Sequence, residues 1–142
     1  MRLTDSPVGA EGRSEEVRYA YKRLCDAPLE DVVRRVFESA ARRGFVVIES
    51  HDIQAALAAK GFPIRPLVII ELGPAEGEKD ELVALLLPCR LNIYEEDGHV
   101  AVAALRPSLF RAVYPEKDLE EAARRLEEAI ESVVDAACGC QS

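Results

Sequence analysis

Four cysteines, two histidines and a scatter of carboxylates are the side chains of this sequence best suited to chemistry. Cys89 has the most specific setting. It follows Pro88 in the run Leu85-Leu86-Leu87-Pro88-Cys89-Arg90-Leu91-Asn92-Ile93-Tyr94. Arg90 is its neighbour, and pairing across the turn that follows places Arg106 opposite it. Positive charge stabilises a thiolate, so Cys89 is the candidate catalytic nucleophile of a thiol-dependent redox or transfer enzyme. The competing and commoner role for a cysteine here is a small buried hydrophobe.

Side chains alternate along a strand, so Arg90, Asn92 and Tyr94 share the face opposite Cys89, Leu91 and Ile93. The same pairing sets Asn92 and Tyr94 beside Ala103 and Ala101. Polar atoms next to small residues leave room for a small molecule. Asn92, Tyr94, Arg90 and Arg106 are therefore the candidate ligand-binding residues. The alternative is a half-solvated sheet face or a subunit contact.

Glu49, His51 and Asp52 cluster where a strand should pass into a helix. A histidine with carboxylates suits metal binding or proton transfer. Residues so close in sequence rarely point at one ion, however, and Asp52 can instead cap the helix. Cys138-Gly139-Cys140 offers a soft chelate or a labile disulfide, yet lacks the second pair of a structural zinc site and reads as a frayed end. Cys25 ends a strand with no partner that spacing identifies. Glu95, Glu96 and Asp97 read as a solvated turn, and Glu76, Glu78, Asp80 and Glu81 as a solvated loop. Glycine-rich phosphate loops, Gly-x-Ser-x-Gly elbows and His-Glu-x-x-His helices are absent from the sequence, which disfavours a hydrolase or nucleotide enzyme. No cofactor and no metal is expected.

The elements that must position these residues are legible in outline. Val17 to Leu24 alternates and carries two tyrosines, which suits a strand. Pro28 opens a helix whose stripe is Leu29, Val32, Val33, Val36, Phe37, Ala40 and Ala41, stopped by Gly44. Phe45 to Glu49 is a second strand. Ser50 or Asp52 starts a short helix that Gly61 ends. Leu67 to Leu72 is almost continuously apolar, as for a strand buried on both faces or in a subunit interface. Gly73 to Asp80 is a charged loop. Asp97-Gly98 between two apolar runs is the strongest short-range hairpin signal there is. It pairs Ile93 with Val102 and Leu91 with Ala104. Pro107 begins an irregular or short helical stretch, and Asp118-Leu119-Glu120-Glu121 is a capping box for the last helix. The order β-α-β-α-β-β-β-α predicts a single α+β domain over residues 15–137, with a mainly antiparallel, curved sheet packed against helices. Residues 1–14 and 138–142 are expected to be flexible tails.

The 142 residues, 49% hydrophobic and 31% charged, are enough for one domain that buries roughly two-thirds of its unfolded surface. A net charge of −8 repels phosphate backbones and disfavours nucleic-acid binding. There is neither an 18-residue apolar run nor an apolar leader, which points to a cytoplasmic protein with no membrane contact. Arginine outnumbers lysine fourteen to four, with one asparagine, one methionine and no tryptophan. That composition leans towards a thermophile.

From Phe45 to Pro107 the chain resembles the family called domain of unknown function 302. Leu86-Leu87-Pro88-Cys89 with Leu91-Asn92-Ile93-Tyr94-Glu95 is similar to its Leu-Leu-Pro-Cys strand. Asp52-Ile53-Gln54-Ala55, Leu57 and Lys60-Gly61 are similar to its Asp-Val-Gln-Ala helix. Leu105-Arg106-Pro107 is similar to the end of its last strand, and the flanking helices extend the likeness to about residues 15–137. The resemblance implies a fold like a single TATA-binding-protein repeat and pairing as homodimers, with no established activity. This chain departs from the family pattern in Ser50-His51, where Glu-Ile is usual. It departs again in Leu72-Gly73-Pro74, where a second cysteine is often found, so chemistry needing two thiols there is in doubt. Together the residues and the resemblance favour a non-catalytic module that binds or senses a small ligand and self-associates.

Overall fold

The computed structural model describes residues 19–74, 87–112 and 117–139. Leu85, Leu86, Glu76, Glu78, Asp80, Glu81, Cys140, the N-terminal tail and the side chains of Asp118 and Leu119 lie outside the described residues, with the expectations attached to them.

Five strands form one antiparallel sheet: β1 (Ala20–Cys25), β2 (Phe45–Asp52), β3 (Leu67–Pro74), β4 (Cys89–Glu96) and β5 (His99–Leu105). Their order across the sheet is β1-β5-β4-β3-β2. Helix α1 (Leu29–Arg42) carries the chain from one edge to the other. A short α2 (Ile53–Ala58) joins β2 to β3, and α3 (Lys117–Ala137) follows a 3-10 turn at Pro107–Ala112. The expected α+β order is the observed one.

The hairpin forms for a backbone reason. Asp97 and Gly98 have φ of 50° and 81°, the pair of positive values that a two-residue turn needs to match the twist of its strands. The register is the expected one, with Leu91 opposite Ala104 and Ile93 opposite Val102. Gly44, at φ 82°, ends α1. Glu30 and Asp31 sit in that helix's first turn and Arg42 in its last, each favoured by the helix dipole.

Helices α1 and α3 cover one face of the sheet. Val32, Val36 and Ala40 of α1 and Ile130, Val133 and Val134 of α3 meet Ile70, Leu72, Leu91, Ile93 and Val102 in one buried cluster. Each large aliphatic there contributes about 1.5–3 kcal/mol through burial. The opposite face is not covered by α1 or α3. Strand β3 is therefore not buried on both faces within one chain: Ile70 and Leu72 are buried, whereas Leu67, Ile69 and Glu71 are half-exposed on the open side. Among the described residues no helix is long and apolar enough to cross a membrane.

Candidate functional site

The open face carries the polar atoms. Pairing runs from Lys22 to Ala103 on β5, from Ala103 to Asn92 on β4, and from Asn92 to Ile69 on β3. One row along, Leu24, Ala101, Tyr94 and Leu67 follow each other across the sheet. Ala101 and Ala103 thus form the floor of a trough whose walls are Lys22 and Leu24 on one side and Asn92 and Tyr94 on the other.

Lys22 closes part of that trough. Its Nζ lies 2.8 Å from Glu96 Oε1 and 3.0 Å from Oε2, so its side chain spans β5 diagonally. It also sits 5.9 Å from the centre of the Tyr94 ring. Ala101, beneath this arch, is fully buried although it lies on the open face. The Tyr94 phenol is pushed up by burial, partly offset by Lys22, and so stays a neutral donor at physiological pH. The lysine is held above its ordinary range: burial lowers it, and the contacts with Glu96 and Tyr94 more than restore it. Asn92 is half-buried in the middle of the face, and its side-chain amide has no hydrogen-bond partner among the described residues.

The four expected ligand residues separate into two groups. Asn92 and Tyr94 are together, beside Ala103 and Ala101 as the pairing predicts. Arg90 is on the same face but one row away and mostly exposed, with its Nε 4.0 Å from Glu71. Arg106 points to the other side. Its Nη1 lies 3.2 Å from Glu127 and 3.0 Å from Glu131 on α3.

The expected Cys89–Arg106 pair lies two residues past the end of the observed ladder. The β4–β5 ladder begins at Leu91 and Ala104, Cys89 pairs with Leu72 of β3, and the Arg106 amide bonds Tyr19. The thiol is 9% exposed, and burial pushes it up to about 12. Both arginines expected to activate it also lie close to carboxylates, Arg90 to Glu71 and Arg106 to Glu127 and Glu131. This setting makes Cys89 a core thiol and gives a thiolate nucleophile no support.

Asp52 caps α2, accepting a 2.9 Å hydrogen bond from the Ala55 amide. His51 lies 3.6 Å from Glu71 on the open face. Among the described residues no group of three or more histidine, cysteine and acidic side chains is placed to hold a metal ion.

Two clusters escaped sequence reasoning. Tyr21 donates a 2.8 Å hydrogen bond to Asp135 of α3, which is 8% exposed, and Arg23 reaches both. Cys25, for which spacing identified no partner, is disulfide-bonded to Cys138, expected to fray with the terminus. The missed contacts between β1 and the α3 end of the chain join residues at least 112 positions apart. No periodicity relates such positions, and only the docking of α3 along β1 brings them together.

The fold and its matches agree. A family model described as "Domain of unknown function DUF302" matches residues 21–137. The chain belongs to the DUF302 family. Its fold is also similar to the crystal structure of an uncharacterized conserved DUF302 protein from Bacillus stearothermophilus. The TM-score is 0.76 at 24% identity, covering 84% of this chain and 98% of that one. Among curated proteins nothing matches. In this DUF302 domain the Pro88-Cys89 step that carried the likeness is thus the start of a buried central strand.

Proposed function

We propose that this DUF302 domain is a non-catalytic, cytoplasmic module that binds a small molecule in the trough of the open sheet face and self-associates as a homodimer. The observation that carries the reading is Asn92. An amide half-withdrawn from water with no partner forgoes hydrogen bonds that a ligand can supply. Its flanks are Ala103 and Ile69, so the complementary molecule is flat and mainly apolar, with one neutral group such as a carbonyl or amide. Lys22 and Glu96 neutralise each other and add no net charge to attract an ion.

Self-association uses the other half of the same face, where Leu67 and Ile69 are half-exposed and Val46 and Ile48 are exposed. An apolar sheet face of this kind is a frequent subunit contact.

Thermal-shift screening against neutral metabolites tests the binding site, because a ligand selective for the native state raises the melting temperature. A hit should stabilise the native chain and lose its effect in Asn92→Leu, a variant whose own melting temperature stays near the parent's. An empty screen, or a hit indifferent to Asn92→Leu, would rule the trough out.

A further inference from the structure

The Cys25–Cys138 bond joins the last residue of the edge strand β1 to the residue just past α3. Neither element depends on it. β1 is held to β5 along its whole length. Helix α3 is docked by the Tyr21–Asp135 and Arg23–Asp135 contacts, by the Ser39 hydroxyl donating to the Val133 carbonyl, and by Ile130, Val133, Val134 and Ala137 in the core. The bond adds a covalent tie at the C-terminal end of a helix that these contacts already hold.

The two sulfurs are unequally accessible. Cys25 is 1% exposed, whereas Cys138 is partly exposed at the helix end. Beside them is a pocket of about 490 Å³ between the end of β1, the start of α1 and the hairpin turn, lined by Cys25, Asp26, Leu29, Glu95 and His99 among others. His99 Nδ1 lies 3.1 Å from Asp26 Oδ1 at its exposed rim. The bond is thus attackable at its Cys138 end, while Cys25 lines a space with a proton donor and acceptor pair at its rim.

We propose that Cys25–Cys138 is a thiol–disulfide redox switch reduced by a dithiol, and that its state decides whether Cys138, just past α3, is pinned to the end of β1. A thiolate of the dithiol attacks Cys138 Sγ. The disulfide breaks and Cys25 leaves as a thiolate, which takes a proton from the pocket. The reductant's second thiolate then attacks its own sulfur in the mixed disulfide, so Cys138 leaves and is protonated in turn. The protein gains two electrons and two protons, and the dithiol departs as a cyclic disulfide. The site is separate from the open-face trough and from Cys89.

Dithiothreitol, in reduced-to-oxidised ratios spanning the transition, is the probe. Native protein is quenched, its thiols are alkylated, and its peptides are mapped, while circular dichroism follows the fold. The Cys25–Cys138 cross-linked peptide should be lost completely at the reducing end, with both residues labelled together and Cys89 protected. It should return at the oxidising end with the helical signal unchanged throughout. Cys140→Ser should behave identically. A bond that yields only after denaturant is added would mark a purely structural cross-link and overturn the proposal. A link that maps to Cys138 and Cys140, or no link in the oxidised protein, would overturn it equally.

Discussion

At the scale of single residues, burial decides more than neighbouring charge does. Cys89 has arginines close to it in sequence and in the predicted pairing, yet its thiol is raised to about 12 because the strand carries it under the helices. A raised folded-state value has a definite thermodynamic sign. The native chain holds the thiol proton more tightly than the unfolded chain does. The associated stability is complete below the unfolded value of about 8.5 and is lost as pH climbs towards the folded value. Native Cys89 should therefore resist iodoacetamide at pH 8. Melting curves should also show an alkaline loss of stability between pH 8.5 and 12 that is smaller in Cys89→Ala. Rapid native alkylation would contradict this account. The proline-cysteine step was visible in the sequence. Its depth was not, because depth depends on which sheet face the distant α1 and α3 cover.

At the scale of elements, local signals suffice wherever a backbone angle or a short periodicity sets the outcome. The Asp97-Gly98 turn, the stop at Gly44 and the stripe of α1 are of this kind. Each rests on residues within a few positions of one another. Gly98 at φ 81° has nothing within 4 Å of an added Cβ, so the cost of substitution there is backbone strain alone. Gly98→Val should destabilise the domain by about 1–2 kcal/mol, measured as a lower denaturant midpoint at an unchanged slope. A change in slope would instead mean that the hairpin register had slipped. Length and apolarity alone could not choose for β3 between burial on both faces within one chain and burial in a subunit interface. The run satisfies one covered face and leaves the other half open.

At the scale of the whole molecule, α1 and α3 cover one face of the sheet, and among the described residues neither covers the other face. The open side is mixed: Lys22, Asn92, Tyr94 and Glu96 surround Ala101 and Ala103 on its β1–β5–β4 half, and Val46, Ile48, Leu67 and Ile69 lie beside His51 and Glu71 on its β3–β2 half. Gly73 contributes to that half: a Cβ there would come within 2.9 Å of Ile48 Cδ1, so the glycine lets Ile48 lie over β3. Covering this half with a second copy would remove Val46 and Ile48, 48% and 52% exposed, from water. Sedimentation at micromolar protein should give a species of about twice the 15.6 kDa chain mass, and Ile48→Glu should shift it to the monomer. A monomer at every concentration would mean the aliphatic half stays solvated and would remove self-association from the proposed function.

What the sequence determined by itself was the order of elements, the hairpin and its register, and the pairing of Asn92 and Tyr94 with Ala103 and Ala101. All of these follow from local periodicity and turn geometry. What only the tertiary structure decided was the fate of the long-range groups. Arg106 is turned to Glu127 and Glu131, Asp135 is joined to Tyr21 and Arg23, Lys22 is stretched over Ala101 to Glu96, and Cys25 is bonded to Cys138. Each of these contacts depends on how α3 or a non-adjacent strand docks across the sheet. That docking is set by burial summed over the whole core, which no single stretch of sequence encodes.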